Sequence, residues 1–350
     1  MTGPRLGDHG PAVAEVRSRL TQLGLLADRE PVDPAVFDAE VDRAVRAFQQ
    51  ERGISVDGVV GPNTFRRLDE ARWQLGDRVL TYVPGHLMTG DDVAELQRRL
   101  TTLGFATGRV DGVFGAQTDG ALREFQKGVG VTADGTCGPD TFRAFDRLVR
   151  TVSGGSATSL REHLTVTELQ TGVADKVVVV DPGHRVAADV SHAVAVRLEG
   201  RLAALGTQVV LTRGVQGERV EDSEYALLAN DIGAHLVLSI AVDEARSASP
   251  NGVATFYYGD PRGGTHSPSG LLLAERVHEE IICRTDLLDC RVHARTWDLL
   301  RMTRMPAVRV VLGYRSNPGD AGRLASAAFQ DAVAEGLAAA VTGFCQPRTS

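Results

Sequence analysis

"KVVVVDPGHRVAADV" (176–190) begins with Lys176 and a run of valines and delivers Asp181, Pro182, Gly183 and His184 into a loop. A continuous β-branched run bounded by Pro and Gly reads as a strand buried on both faces, as in the interior of a parallel sheet. Behind it, "SHAVAVRLEGRLAALG" (191–206) is a helix, with Val190, Val194, Leu198, Leu202 and Leu205 at helical spacing. "TQVVLTR" (207–213) is the next strand. Strand, helix and strand in that order form a βαβ unit.

The alternation continues outward. "YALLANDIGA" (225–234) is a helix, and "HLVLSIAV" (235–242) and "GVATFYYG" (252–259) are strands. A helix from about 269 to 283, the strand "AVRVVLGY" (307–314) and the helix "SAAFQDAVAEGLAAAVTGF" (326–344) follow. The pattern predicts an α/β domain over 175–345 around a mostly parallel sheet. Sites in such sheets lie at the carboxyl ends of strands, where His184, Ala241 and Gly313 stand.

The front of the chain is duplicated. "AEVRSRLTQLG" (14–24) recurs as "AELQRRLTTLG" (94–104), and "AVRAFQQERGISVDGVVGPNTFRRL" (44–68) as "ALREFQKGVGVTADGTCGPDTFRAF" (121–145). Two copies about 80 residues apart are a duplicated domain rather than a solenoid. The repeats are placed at 5–76 and 77–150, with a Gly/Ser-rich linker over 151–174. Each copy reads as three short helices. In the first helix of the second copy Asp91 or Asp92 is the expected cap, Val93, Leu96, Leu100 and Leu103 the inner stripe, and Gly104 the stop. Val13, Val16, Leu20, Leu23 and Gly24 match them in the first copy. Val45 and Phe48, or Leu122 and Phe125, face inward on the second helix. The third opens with Gly-Pro, where Pro is tolerated, and turns Phe65 and Leu68, or Phe142 and Phe145, inward.

Composition narrows the function. The formal charge of −7 argues against nucleic acid as partner, because counterion release needs clustered Lys and Arg. No apolar run approaches the ~20 residues of a membrane span, and the first residues carry no secretory pattern. The four cysteines have no C-x-x-C spacing, which predicts reduced thiols and a cytoplasmic protein. G-x-S-x-G, Walker and dinucleotide motifs are absent from the sequence, and "GDPRGGTHSPSG" (259–270) reads as a surface loop.

The repeats resemble the peptidoglycan-binding domains of cell-wall hydrolases. "VDGVFGAQTDGALREFQ" and "ADGTCGPDTF" of the second copy follow that family's pattern throughout, whereas "VDPAVFDAEVDRAVRAFQ" of the first loses both loop glycines. The resemblance implies a groove for a stem peptide near Asp111, Gly112, Phe114 and Gly115; most of the motif also reads as turn and core. The rear domain resembles the zinc-dependent N-acetylmuramoyl-L-alanine amidases of the amidase_3 type, through "VVVDPGH", "VVLTR", "LLANDIGAHLVLSI", "RMTRMPAVRVVLGYRSNP" and "FQDAVAEGL" in that order.

Such an amidase needs three zinc ligands, an open position for water and a glutamate for proton transfer. The family supplies a His after Asp-Pro-Gly, a Glu opening the next helix, a His ending the Ser-Ile-His strand and a Glu before Gly-Phe/Tyr. Here those positions are His184, Ala187, Ala241 and Val311. The resemblance therefore implies a pseudoenzyme with no catalytic residue and no cofactor, His184 being a remnant. Asp189, His192, Asp243 and Glu244 are the nearby candidates for a rebuilt site, with His192 turned to solvent. Arg213, Asn230 and Arg301, also retained, are structural hydrogen-bonders or line a remnant cleft. His163, His235, His266, His278 and His293 show no paired metal spacing and read as surface residues.

Tandem repeats ahead of a degenerate amidase resemble actinobacterial regulators of cell-wall synthesis. This implies a cytoplasmic regulator or scaffold whose partners are proteins of peptidoglycan precursor synthesis, chiefly the UDP-N-acetylglucosamine enolpyruvyl transferase. It also implies phosphorylation of a C-terminal tail, of which "FCQPRTS" offers only Thr349 and Ser350. The alternatives are a working zinc amidase that cuts the muramic acid–alanine amide, and a plain module binding muropeptide or precursor.

Overall fold

The computed structural model describes residues 3–27, 33–148, 169–183, 188–212, 221–260 and 265–346. His163, His184, Ala187, Arg213, Thr349 and Ser350 lie outside them. The chain divides into two compact units, Met1–Arg161 with Pro261–Thr265, and Glu162–Asp260 with His266–Ser350.

In the first unit α1 (Pro11–Gln22), α2 (Ala39–Glu51) and α3 (Pro62–Ala71) form one repeat. The other is α4 (Asp91–Thr102), α5 (Ala116–Val129) and α6 (Pro139–Leu148). Each trio encloses its own core. Val13, Val16, Leu20, Phe37, Val45, Phe48 and Leu68 fill the first. Val93, Leu96, Leu100, Phe114, Leu122, Phe125 and Phe145 fill the second, with the rings of Phe125 and Phe145 stacked at 4.1 Å.

Two expectations change here. Asp91 and Asp92 do not cap α4, because Gly90 holds the cap position without a side-chain bond. Asp92 is instead buried in the first turn and accepts from Arg78 at 2.7 and 3.1 Å. Phe65 is 42% exposed, under the Arg19 guanidinium at 4.5 Å from the ring centre. Thr64, Leu68 and Ala71 make the inner stripe of α3, and Phe65 lies roughly 100° away from Thr64 around the helix. The repeats are joined by charge. Arg52, just past α2, grips Asp91 with both terminal nitrogens at 2.6 and 2.8 Å. Trp73, just past α3, has the guanidiniums of Arg72 (4.2 Å) and Arg78 (4.6 Å) over its ring.

After the repeats the order is β1 (Val177–Asp181), α7 (Ala188–Ala203), β2 (Gln208–Leu211), α8 (Asp222–Asp231), β3 (Leu236–Asp243), β4 (Val253–Asp260) and β5 (Thr265–His266). Then come α9 (Pro268–Ile282), β6 (Asp289–Arg295), α10 (Asp298–Met302), β7 (Ala307–Tyr314), α11 (Pro318–Leu324) and α12 (Ala327–Cys345). The strands lie in the order β2-β1-β3-β7-β4-β5, with β6 also on β4. β2, β1, β3 and β7 run parallel, β4 is antiparallel to β7, and β6 is parallel to β4. The predicted α/β class and mostly parallel sheet are present; β5, β6, α10 and α11 add to the expected elements. The rear core also begins before 175, since Leu169 and Val173 pack into it and the Gly172 N–H donates to the carbonyl of Cys345.

Alternation along the strands separates two faces. One carries Val178, Val180, Leu238, Ile240, Val308, Val310 and Leu312 into the core under α7, α9 and α12. The other is partly covered by α8 and α10, which pack on each other over Val179, Val237, Tyr258 and Ala307. Leu205 is 47% exposed because α7 ends at Ala203 and the chain turns at Gly206. His278, read as a surface residue, is buried at 8% exposure. Its Nδ1 is 3.1 Å from Thr255 Oγ1 and its Nε2 2.7 Å from Asp289, so α9 is fixed to β4 and β6. Among the described residues no helix is long and apolar enough to cross a membrane. All four cysteines are free, and burial pushes the Cys137 thiol up to about 12.

Gly336 on α12 sits against α9, where a Cβ would come within 2.9 Å of the Glu280 carbonyl oxygen. Ala improves helix propensity by about 1 kcal/mol, but the neighbour here is backbone and cannot rotate away. Gly336→Ala is expected to lower stability by about 1–2 kcal/mol in urea titration. A gain in stability would show that the two helices are free to separate.

Candidate functional site

Register places the partly covered face in rows. Ala241 on β3 pairs with Val311 on β7, and Val311 with Ala254 on β4. One pleat earlier, Asp181, Ser239, Arg309, Phe256 and His293 form the row across β1, β3, β7, β4 and β6. Gly183, just past β1, lies against Ala241: a Cβ there would be 2.6 Å from the Ile240 carbonyl oxygen and 3.3 Å from the Ala241 Cα. With φ at +46° the position suits glycine on both counts.

The upper row is therefore made of small apolar side chains. Ala241 is half-buried and Val311 is 7% exposed. Neither a methyl nor an isopropyl group has a lone pair for a metal or a site for a proton. Among the described residues no group of three His, Cys, Asp or Glu converges to hold a metal ion. His192 on α7 is exposed, as its spacing predicts, and Asp189 is exposed with it. Asp243 is the last residue of β3, not a loop residue, and its carboxylate accepts from the Glu244 N–H. The described residues offer zinc no ligand set.

On β1, β3 and β7 the lower row is polar, and its side chains hydrogen-bond to one another. Asp181, buried, accepts from Ser239 at 2.7 Å and Thr212 at 3.2 Å. Arg309 donates through Nε to Ser239 at 2.9 Å and through both terminal nitrogens to Asp222 of α8 at 2.9 and 2.8 Å. Its Nη2 is 3.8 Å from Asp181, and its guanidinium lies over Trp297 at 5.3 Å. Burial works against the Arg309 charge, yet Asp222 and Asp181 hold its pKa above the usual arginine value. One cation thus ties β1, β3, β7 and α8 together one pleat below the Ala241–Val311 row. A single Arg in "AVRVVLGY" was the sequence signal for it. Asn230 donates to the Met302 carbonyl at 2.8 Å and accepts from the Arg304 N–H at 2.9 Å, fixing α8 to the chain after α10. Arg301 is buried and paired with Asp298 at 2.9 Å.

The candidate peptide loop of the second repeat is held from inside. Gln97 on α4 is buried; its Nε2 is 2.8 Å from Asp111 Oδ1, 3.0 Å from the Val113 carbonyl and 3.1 Å from Thr118 Oγ1. Its Oε1 accepts from the N–H groups of Asp111 (3.0 Å) and Gly112 (2.9 Å). Phe114 is fully buried and Gly115 caps α5. Gln126 makes the same contacts with Asp134, Gly135, Thr136 and Thr141, and Gln49 with Asp57, Gly58, Val59 and Thr64, except that their Oε1 accepts from the glycine N–H and not from the aspartate's. The Gln–Asp-Gly–Thr spacing is the common cause. The remaining loop departs because Arg17 replaces that glutamine. It bonds the Val36 carbonyl and the Asp38 carboxylate, which in turn caps α2.

Comparison with known proteins agrees with this layout. The family described as Amidase_3, N-acetylmuramoyl-L-alanine amidase, matches residues 178–343, and PG_binding_1, a peptidoglycan binding domain, matches 9–68 and 89–145. The N-acetylmuramoyl-L-alanine amidase CwlM of Mycobacterium tuberculosis is 45% identical over 359 residues, covering 96% of this chain and 88% of its own. The amidase CwlL of Bacillus licheniformis is 29% identical over 163 residues, 41% of this chain and 45% of that one. Among solved structures, the catalytic domain of CwlV, an N-acetylmuramoyl-L-alanine amidase from Bacillus (Paenibacillus) polymyxa, shares 27% identity at a TM-score of 0.44, covering 48% of this chain and 97% of its own.

Proposed function

The chain belongs to the N-acetylmuramoyl-L-alanine amidase family, with two peptidoglycan-binding domains ahead of the amidase domain, and from that premise we propose that it is a non-catalytic member. It acts as a cytoplasmic regulator or scaffold of peptidoglycan biosynthesis. Its partner is the enzyme that commits UDP-N-acetylglucosamine to the pathway, the enolpyruvyl transferase. The observation that supports the loss of chemistry is the pairing of Ala241 with Val311 in the row where a ligand and a proton carrier are needed.

Zinc stoichiometry tests the chemical half. The purified chain, dialysed against micromolar zinc, is expected to hold far less than one tightly bound metal and to release no stem peptide from muropeptides. One zinc per chain, lost on His184→Ala, would restore the working amidase. Once chemistry is excluded, the regulatory half is tested by the rate of the purified enolpyruvyl transferase with and without this protein. An unchanged rate and no complex would leave a muropeptide-binding module as the better reading.

A further inference from the structure

We infer that the partly covered face of the sheet holds an anion-binding subsite, formed by the Arg295 guanidinium and the Phe256–Trp297 wall. It takes a phosphate or carboxylate carried beside a planar or apolar group. Tyr258 pairs with Arg295 and Phe256 with His293 in the register of β4 and β6, so all four side chains share this face. Phe256 and Trp297 meet at 4.7 Å with their planes 51° apart, and Arg295 lies over the Phe256 ring at 5.4 Å. His293 closes the side at 5.7 Å from Phe256, its Nε2 occupied by the Cys290 carbonyl.

The charge balance separates Arg295 from its neighbours. Arg309 is neutralised by Asp222, and Arg301 by Asp298. Among the described residues no carboxylate pairs with Arg295. The guanidinium has five N–H donors, and the bond it makes here is from Nη1 to the adjacent Ala294 carbonyl at 2.8 Å. It is nevertheless half-buried, and burial alone acts on it, lowering its pKa. A part-desolvated cation without a counter-charge is unfavourable, and an incoming anion relieves it. The planar fork suits two-pronged binding of phosphate or carboxylate, while the aromatic wall takes the body attached to it. This subsite does not depend on whether the amidase reaction is lost.

Calorimetry on the full chain tests it with two probes, uridine diphosphate for a phosphate source and L-alanyl-D-glutamate for a carboxylate source. One of them is expected to bind saturably, and more weakly as salt is raised. Arg295→Gln is expected to weaken it by about tenfold or more, the effect of removing a charge-assisted contact. Arg295→Lys keeps the charge without the fork and falls between, which serves if the Gln variant fails to fold. Trp297→Leu also weakens binding, whereas Arg291→Gln, an exposed arginine of the same strand, leaves it unchanged. No saturable binding of either probe, or wild-type affinity in both Arg295 variants, would overturn the subsite.

Discussion

Arg309→Met is expected to destabilise the rear domain by about 3–5 kcal/mol, the usual cost of removing one partner of a buried ion pair. The substitution strips Asp222 of its two-pronged partner and leaves Asp181 with only hydroxyl donors. With 16% of the Arg309 side chain exposed and Asp222 nearly buried, solvent cannot replace what is lost. Arg309→Lys should give an intermediate loss, since an ammonium cannot hold Ser239 and both oxygens of Asp222 together. Arg309→Met combined with Asp222→Leu should regain much of the stability, because it removes the stranded charge. Urea unfolding of the full chain measures all three. A loss below about 1 kcal/mol for Arg309→Met would mean the pair contributes no more than a surface ion pair.

Gln97→Leu is expected to cost about 2–4 kcal/mol in the front unit. It leaves the Asp111 and Gly112 N–H groups and the Val113 carbonyl without their partner, each worth about 1 kcal/mol or more when buried. The shape is nearly kept, so packing does not confuse the result. The change in urea midpoint reports it, and the sharper consequence is local: amide exchange at Gly112 and Val113 should accelerate far more than exchange in α6. Uniform acceleration would show that the loop has no separate stability.

Sequence periodicity exposed most of the fold because the long elements bury one continuous stripe. The Val, Leu and Phe positions of α1, α2, α4 and α5 all lie where their spacing puts them. What it did not show has physical causes. Phe65 follows the spacing of its neighbours but is one residue off the stripe, and Arg19 shelters it. β6, "DCRVHAR", is rich in polar residues and none of them is fully buried, so no apolar run marks it. α10 and α11 are too short to show a period. At the site, Ala241 and Val311 could be placed by their motifs, and register then brought them together. Arg309 and Arg295 were visible as charges in strands, but their opposite circumstances, one saturated and one unpaired, depend on side chains distant in sequence.

The Arg52–Asp91 grip and the contacts of Trp73 with Arg72 and Arg78 change how the front half should be cut and measured. Leu75 and Leu80, in the stretch between the repeats, already pack into the second core. That stretch is therefore shared property rather than a hinge. A cut placed inside it separates Arg52 from Asp91 and Trp73 from Arg78, so fragments made there would report on the wound as much as on the repeat. The boundary of either repeat is therefore better drawn so that both sides of the junction travel together.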